Sequence, residues 1–261
     1  MSADRVFPQV SDALGLRSLR FDHSTVQSVM SVFEPDALVL DYTRAMMAFL
    51  LFVPQPRHIV MIGLGGGSLA KHCLRQLPQT RVTVIEIDPA VIALRAQFAI
   101  PPDDERFRVI CADGAAYVHD AGAGEADVLL VDGFVAEGLP AELGSADFYA
   151  ACRRMLAPDG VLVLNHWKDQ MSYPVYVARL RAAFDERVLA IAAEDGDNRI
   201  CFAGAGVPFP PRRAVLVDRI PDFVRSQGEA GEEIARRVLR RLDRQRALAA
   251  FRRPGGEADA W

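Results

Sequence analysis

A glycine-rich turn followed by an acidic residue is the first feature of this sequence that could do chemistry. The turn, GLGGGS, has glycines at Gly63, Gly65 and Gly67 and ends at Ser68, and Glu86 closes a later apolar run, RVTVIE. Glycines let a ligand approach the main chain, and a carboxylate about 20 residues further on can accept hydrogen bonds from both hydroxyls of a ribose. Each feature alone also fits a tight turn or a charged strand end. Together they predict a nucleoside site and leave NAD open, although a dinucleotide fingerprint favours glycine at Ser68.

Two further acidic residues follow apolar runs and could face the same ligand. Asp113 closes the run RFRVICAD, and Asp132 closes ADVLLVD. The Asp113 carboxylate could accept a hydrogen bond from an adenine amino group, cap the following helix, or do both. In an open parallel sheet, ligands bind beyond the carboxyl ends of the strands. Glu86, Asp113 and Asp132 are therefore expected at one crevice.

The elements that must position these acids alternate between strand and helix over residues 57–204. Six apolar runs are predicted as strands: 58–63, 81–88, 106–113, 126–132, 160–167 and a last one near 201. Pro89 suits a helix start after Asp88, and Ser145 could cap a helix that runs to Leu156. Near-continuous apolar strands separated by amphipathic helices predict an α/β fold with a mostly parallel sheet covered on both faces.

Shorter sections flank this α/β region on both sides. Residues 1–53 are predicted as a small cap, in which 20–33 and 37–42 pair as a hairpin. Prolines then interrupt the chain, so the nucleoside-binding domain is expected to span 54–206. A C-terminal extension covers 207–261.

The C-terminal extension contains an Arg-rich stretch, 232–251, that is predicted as a helix. Ile234, Val238 and Leu242 recur at helical spacing. An amphipathic helix with a solvated charged face explains this pattern better than a nucleic-acid site does.

Composition bounds the class of protein. The chain has 261 residues, is 51% hydrophobic and has a formal net charge of -4, which favours one sizeable α/β domain and no nucleic-acid or membrane partner. The four cysteines lie far apart without a Cys/His cluster, so neither zinc nor another metal is expected. Reduced thiols and the lack of a recognisable signal peptide predict a cytoplasmic protein. The longest apolar stretch, near 45–53, is too short to span a bilayer.

The motifs taken together resemble the polyamine aminopropyltransferase (spermidine synthase) family, a relative of the class I S-adenosylmethionine-dependent methyltransferases. The resemblance rests on GLGGGS, VIEIDP, CADGAAYV, LLVDGF and SADFYAACRRMLAPDGVLVLN, and it covers roughly residues 20–204. It implies a Rossmann-like fold with a mostly parallel seven-stranded sheet and a short N-terminal β-hairpin. It also implies a homodimer, a donor that is S-adenosylmethionine or its decarboxylated form, and an amine or other nucleophile as acceptor. No metal is implied.

The resemblance also implies roles for individual residues. Glu86 would hold the ribose and Asp113 the adenine, beside the glycines of the turn. Gln27, in STVQSV, corresponds to a ribose-contacting glutamine of the N-terminal hairpin. Asp132 corresponds to the catalytic aspartate, which orients or deprotonates the attacking amine.

This chain differs from the family pattern at four positions. All four belong to the motifs that, in the family, bind the donor tail and the polyamine. The family motif GGGDGG has an aspartate where this chain has Gly66, and Val135 replaces the second acid of the catalytic loop. The segment Thr43–Ala45 aligns with a YHE-like motif without its tyrosine or glutamate, and GDNR (196–199) stands near the position of a PTYP-like loop. Loss of the acid at Gly66 is expected to relax selection against the α-carboxylate of intact S-adenosylmethionine.

Each of the other polar residues near the crevice has two possible roles. Glu137 and Glu142 could serve a cationic acceptor or be solvated loop charges, and the second reading is favoured. His166 could act as a base near neutral pH and Trp167 could stack on an acceptor, or both could pack against the 133–144 loop.

The sequence thus predicts a spermidine synthase-like transferase that moves an aminopropyl group from a sulfonium donor to an amine. Methyl transfer from intact S-adenosylmethionine is the alternative within enzymes. A non-catalytic nucleoside-binding or partner-binding protein on the same fold is the alternative outside them, because fold alone does not fix function.

Overall fold

The computed structural model describes residues 7–21, 26–133, 138–194 and 196–251. Its strands are β1 (Gln9–Ala13), β2 (Leu16–Arg20), β3 (Val26–Ser31), β4 (His58–Ile62), β5 (Arg81–Glu86), β6 (Phe107–Cys111), β7 (Ala126–Val131), β8 (Leu156–Trp167), β9 (Val188–Ala192) and β10 (Asn198–Gly204). Its helices are α1 (Asp41–Met46), α2 (Ser68–Gln76), α3 (Pro89–Ala93), α4 (Gly114–Asp120), α5 (Ala146–Met155), α6 (Tyr173–Ala183), α7 (Arg213–Gln227) and α8 (Glu229–Phe251). Short 3₁₀ helices cover Met47–Leu51 and Glu142–Gly144.

The centre of the fold is a seven-stranded sheet in the order β6-β5-β4-β7-β8-β10-β9. Strands β6, β5, β4, β7 and β8 are parallel, and β10 runs antiparallel to both of its neighbours. The predicted mostly parallel, Rossmann-like sheet is confirmed. Strand β9 was missing from the predicted strands, since its run VLAIA is too short to be distinguished by period from a buried helix.

The strands are apolar along their whole length because the sheet is covered on both faces. All five residues of β4 are buried, and a separate hydrophobic cluster lies on each side of the sheet. One cluster contains Phe49, Phe98 and Val238, and the other contains Phe148 and Tyr149. Burying a large side chain contributes about 1.5–3 kcal/mol, so these two layers fix the sheet between the helices.

Two helix starts follow the predicted capping residues. The Asp88 side chain accepts a 2.9 Å hydrogen bond from the Ala90 backbone N–H, directly before Pro89. The Ser145 hydroxyl accepts one of 3.1 Å from the Phe148 N–H. Each cap satisfies a backbone donor that the first turn leaves without a partner.

The N-terminal section forms a separate three-stranded antiparallel sheet, β1-β2-β3. Its hairpin turn lies at Leu14 and Gly15, and β2 pairs with β3, with Leu16 opposite Ser31. The predicted pairing of 20–33 with 37–42 is wrong, because α1 already begins at Asp41. Thr43, Ala45 and Met46 are buried in the main core, so burial of this segment outweighs its strand-like alternation.

The C-terminal extension packs as α7 and α8 against the rest of the protein. Ile234, Val238 and Leu242 are buried, as their spacing predicts, and α8 contacts β9 and the 3₁₀ helix Met47–Leu51. The predicted division of the chain at residues 53 and 206 stays a prediction. Among the described residues, none of the helices is both long and apolar enough to cross a membrane.

Candidate active site

The three predicted acids lie at one edge of the main sheet. Glu86 ends β5, Asp113 follows β6 and Asp132 follows β7, with Glu86 directly opposite Cys111 in the β5–β6 pair. The glycine turn follows β4, which lies between β5 and β7. The structure therefore brings the turn and the acids together at the carboxyl edge, where ligands of such sheets bind.

Gly63 joins the glycine turn closely to the strand that carries Asp132. Its φ is +96°, and an added Cβ would lie 2.4 Å from the Asp132 carbonyl oxygen. The Asp132 N–H donates to the Ile62 carbonyl at 2.9 Å, which keeps the two strand ends in contact. Gly65 and Gly67 also have positive φ, and Gly67 is the residue before α2. A side chain at Gly63 would separate the two halves of the site.

The Glu86 carboxylate is held by the backbone on both of its oxygens. Oε2 accepts a 2.9 Å hydrogen bond from the Leu64 N–H, and Oε1 accepts one of 2.9 Å from the Asp88 N–H. The side chain is buried apart from 8% of its surface. Because each carboxylate oxygen has more than one lone pair, both remain able to accept a ligand hydroxyl.

Asp113 caps the helix that follows it. Its Oδ1 accepts a 2.8 Å hydrogen bond from the Ala116 N–H at the first turn of α4. The capping half of the prediction is thereby observed, and the contact with adenine stays a prediction.

Asp132 is held by side chains from two distant elements. Asn165 of β8 donates its amide Nδ2 to Asp132 Oδ1 at 2.9 Å. Tyr42 of α1 lies close enough to interact with the carboxylate. Burial raises the pKa of Asp132 above its usual range, and the interactions with Asn165 and Tyr42 oppose that rise. Burial and the Asp132 charge raise the pKa of Tyr42 well above 10, so its hydroxyl remains a donor.

The orientation of the Asn165 amide is fixed from the other side. Asn198 donates its Nδ2 to Asn165 Oδ1 at 2.8 Å, so the Asn165 NH₂ group faces Asp132. Asn165 and Asn198 are both buried. The segment GDNR (196–199), noted in the sequence only as a departure, thus supplies a residue that orients this amide.

Sequence reasoning missed Tyr42 and Asn165. The alignment of the YHE-like motif with Thr43–Ala45 found no tyrosine, whereas the residue immediately before that segment contacts Asp132. The pairing of β7 with β8 identifies Asn165. Val131 lies opposite Leu164, so the next residues, Asp132 and Asn165, are neighbours across the two strands. No comparable signal identifies Tyr42, since it lies on a separate helix.

Gln27 lies on β3, where the N-terminal sheet reaches the glycine turn. The register between β2 and β3 shifts there, with Leu19 opposite Ser28 and Arg20 opposite Val26, so Gln27 is the extra residue of a bulge. A bulge redirects side chains that simple alternation would place on opposite faces. The ribose contact of Gln27 stays a prediction.

The space at Gly66 is occupied by neighbouring side chains. An added Cβ would lie 2.7 Å from Ser28 Oγ and 2.9 Å from Phe98 Cδ1. The family aspartate would therefore need the Ser28 and Phe98 side chains to move. Ser28 instead presents a hydroxyl beside the turn.

His166 does not face the crevice. Successive side chains of a strand point to opposite faces, so Asn165 faces Asp132 and His166 faces the helices on the other side. His166 is fully buried, with its ring edge-on to Tyr173 at 5.6 Å between centroids. Burial lowers the pKa of His166 to about 4, and the buried ring does not reach the crevice to act as a base. It packs on α6, beside Tyr173 and Tyr176.

The remaining residues considered for the acceptor are either partly exposed or outside the described residues. Glu142 is exposed in a 3₁₀ helix, which agrees with a solvated loop charge. Glu137 and Val135 fall outside the described residues. Trp167 is partly buried at the end of β8, and its stacking role stays a prediction. Within the ranges that the structure describes, no group of three or more His, Cys, Asp or Glu could hold a metal ion.

The strand order and the carboxylates at one sheet edge define a Rossmann-like transferase fold of the class I methyltransferase type. Residues 39–186 match the model of the spermine/spermidine synthase domain. The chain is 43% identical over 196 residues to a polyamine aminopropyltransferase of Neisseria meningitidis, covering 74% of each chain. The homologue from Chromobacterium violaceum is 40% identical over 191 residues, covering 73% of each. The chain belongs to the spermine/spermidine synthase family.

Solved structures show the same fold. A probable spermidine synthase from Corynebacterium glutamicum superposes with a TM-score of 0.72 at 19% identity and covers 97% of this chain and 95% of its own. Human Methyltransferase-like protein 13, in complex with SAH, has a TM-score of 0.62 at 24% identity, over 85% and 96% of the two chains. The predicted fold and the predicted spermidine synthase-like transferase are confirmed.

Proposed function

We propose that the protein transfers an aminopropyl group from decarboxylated S-adenosylmethionine to a small amine. The observation that carries this proposal is the Asp132 carboxylate, held by Tyr42 and Asn165 beside the glycine turn in a chain of the spermine/spermidine synthase family. The aminopropyltransferase homologues support the same reaction. A spermidine synthase structure in complex with the transition-state analogue AdoDATO shares the fold, at a TM-score of 0.61.

The nucleoside would bind along the carboxyl edges of β4, β5 and β6. Glu86 would accept hydrogen bonds from the two ribose hydroxyls, because its oxygens are already oriented by the backbone. Asp113 would accept one from the adenine amino group while it caps α4, and Gln27 would reach the ribose from the bulge in β3. The positive-φ glycines Gly63, Gly65 and Gly67 would let the donor approach the main chain.

The reaction would be a displacement at the carbon next to the sulfonium. The lone pair of the neutral amine forms the new N–C bond, the C–S bond breaks, and its electrons neutralise the sulfur, which leaves as the thioether methylthioadenosine. The new ammonium then gives up one proton. Since the donor already carries its leaving group, the protein mainly orients the two reactants.

Asp132 would position the amine and receive its proton. A carboxylate can accept hydrogen bonds from the amine N–H groups, which aims the nitrogen lone pair at the donor carbon. The raised pKa of Asp132 brings its basicity nearer to that of an amine, and the Asn165 amide orients the carboxylate.

Methyl transfer from intact S-adenosylmethionine is a second candidate, and the geometry at Gly66 favours it. The position that holds an acid in the family motif is a glycine here, with the Ser28 and Phe98 side chains packed beside it. The donor tail would therefore meet a hydroxyl rather than a carboxylate there, and an α-carboxylate would not be repelled by an acid at this position.

Product analysis separates the two reactions. The purified protein is incubated with decarboxylated S-adenosylmethionine plus putrescine, cadaverine or spermidine, and in parallel with S-adenosylmethionine plus the same amines. Amine-dependent release of methylthioadenosine supports aminopropyl transfer, whereas release of S-adenosylhomocysteine supports methyl transfer. Absence of both products, with either nucleoside bound in calorimetry, would overturn the proposed function.

Three further expectations from the sequence belong to this proposal. The protein is expected to be a cytoplasmic homodimer, and its reaction is expected to need no metal. Light scattering of the eluted protein tests the dimer. Turnover that survives treatment with a chelator tests the metal independence, and turnover lost on chelation and restored by a divalent cation would contradict it.

A further inference from the structure

The Arg237 side chain of the C-terminal helix α8 points into the protein instead of into solvent. Most charged residues of α8 are exposed, as the amphipathic pattern predicts, but the Arg237 side chain is only 13% exposed. Its Nη1 lies 3.3 Å from Asp41 Oδ2 and 3.0 Å from the Ala192 carbonyl oxygen. The Asp41 side chain is only 9% exposed. Burial of both partners distinguishes this ion pair from the exposed pairs on the same helix.

Asp41 and Ala192, the two residues that Arg237 contacts, are each close in the chain to a residue of the Asp132 site. Asp41 is the first residue of α1, and the next residue, Tyr42, lies close enough to the Asp132 carboxylate to lower its pKa. Ala192 ends β9, where the turn into β10 begins, and β10 opens with Asn198.

The start of the turn between β9 and β10 also contacts Asp41. The Glu194 N–H donates to Asp41 Oδ2, and the Ala193 N–H donates to the Asn198 carbonyl at 2.9 Å. Asn198 in turn orients the Asn165 amide toward Asp132. Asp41 and Arg237 therefore join the two separate arms that reach the carboxylate.

We infer that Arg237 is a positioning residue of the active site, which acts through Asp41 and the end of β9 to fix Asn198 and, through it, the Asn165 amide that donates to Asp132. The inference rests on the proposed function, since it assigns the purpose of these contacts to Asp132. Arg237 lies outside residues 39–186, the part that matches the family domain. The C-terminal extension thus contributes to catalysis without touching the substrate.

The central test replaces Arg237 by methionine, which keeps the length of the side chain and removes its charge and hydrogen bonds. Arg44 remains 3.6 Å from Asp41, so the carboxylate keeps one cation and the fold is expected to survive. Because small misplacements of reacting groups are costly, we expect kcat to fall by about tenfold. The KM for the donor nucleoside should stay within about twofold, since Glu86 lies on another part of the edge.

A matched control distinguishes position from charge. Arg240 lies one turn further along α8, exposed and paired with Glu233 at 2.7 Å, so Arg240→Met should leave kcat unchanged. In an Asn198→Ala background, Arg237→Met should lower kcat by less than twofold, because the contact through which it acts is already lost. An equal loss in both backgrounds, or no loss from Arg237→Met alone, would overturn the inference. Should Arg237→Met not fold, the neutral variant Arg237→Gln is measured instead with the same criteria.

A readout without turnover separates this inference from the proposed function. Crystal structures of the wild type and of Arg237→Met should show the Asn198–Asn165 hydrogen bond intact at about 2.8 Å in the first and longer than about 3.5 Å in the second. An intact bond in the variant would contradict the inference even if the reaction is aminopropyl transfer. A lengthened bond would support it even if no amine is ever converted.

Discussion

Two carboxylates at the same sheet edge, Glu86 and Asp132, are oriented in different ways. Glu86 receives backbone N–H groups from Leu64 and Asp88, which belong to the glycine turn and to its own strand end. Asp132 receives a side-chain hydrogen bond from Asn165 on β8 and lies beside Tyr42 on α1. The first arrangement follows from two motifs of adjacent parallel strands. The second requires three separate segments to be placed correctly.

This difference explains why the residues that bind the nucleoside can be predicted from the sequence, whereas the residues around the acceptor cannot. Backbone donors are present whatever the side chains are, so the glycine turn and the strand-end acid suffice to build the Glu86 site. Side-chain donors must be supplied residue by residue, and their positions along the chain can change between relatives. The same difference implies that substitutions around Asp132 should affect turnover and those around Glu86 should affect affinity.

The largest expected effect is that of Asp132→Asn, which keeps the shape of the side chain and removes its charge. If the carboxylate receives the amine proton, kcat should fall by about 10²–10⁴-fold. Nucleoside affinity by calorimetry and the melting temperature should barely change. The matched control is Asp127→Asn at the other end of β7, where the carboxylate accepts the Arg57 and His58 N–H groups and should influence stability only. Full turnover with a melting temperature lowered by many degrees would make Asp132 a structural residue.

Glu86→Ala should instead weaken nucleoside binding by about 2–3 kcal/mol, the scale of charge-assisted hydrogen bonds left unmade. Calorimetry with S-adenosylmethionine or methylthioadenosine measures it, and exposed Glu105→Ala serves as the control. An affinity within twofold of the wild type would remove Glu86 from the site.

The hydrogen bonds to Asp132 should appear in the pH dependence of turnover. They stabilise the ionised carboxylate, so losing one at Asn165→Ala should raise the pKa of Asp132 further. Because the ionised form is the active one, the acidic limb of the kcat profile should then move to higher pH. The same amine acceptor is used for both proteins, so its own protonation cancels. A limb that stays in place or moves to lower pH would show that Asp132 does not set it.

The smallest expected effect concerns the donor tail. Since Gly66 offers no acid and Ser28 lies beside it, affinities for S-adenosylmethionine and its decarboxylated form should differ little. Calorimetry with both nucleosides measures the ratio. A preference of a hundredfold or more for the decarboxylated form, about 2.7 kcal/mol, would show that another residue selects it.

Two local patterns were resolved by the same physical cause. The sequence leaves His166 open as a base or a packing residue, and strand alternation buries it against α6 and leaves Asn165 in the crevice. The alternation of residues 37–42 predicts a strand, although the core packing of the following segment makes α1 begin at Asp41. In both cases a local pattern had two readings, and long-range packing selected between them.

The sequence by itself determined the α/β class, the strands next to the glycine turn, and the carboxylates at the sheet edge. These depend on period, on glycine conformations and on the rule that parallel strands present their carboxyl ends together. Only the tertiary structure decided which side chains surround Asp132, what fills the space at Gly66, and that Arg237 of α8 reaches Asp41. Such contacts join residues far apart in the chain, and no local pattern specifies them, because only packing of the whole sheet and its helices sets the distances.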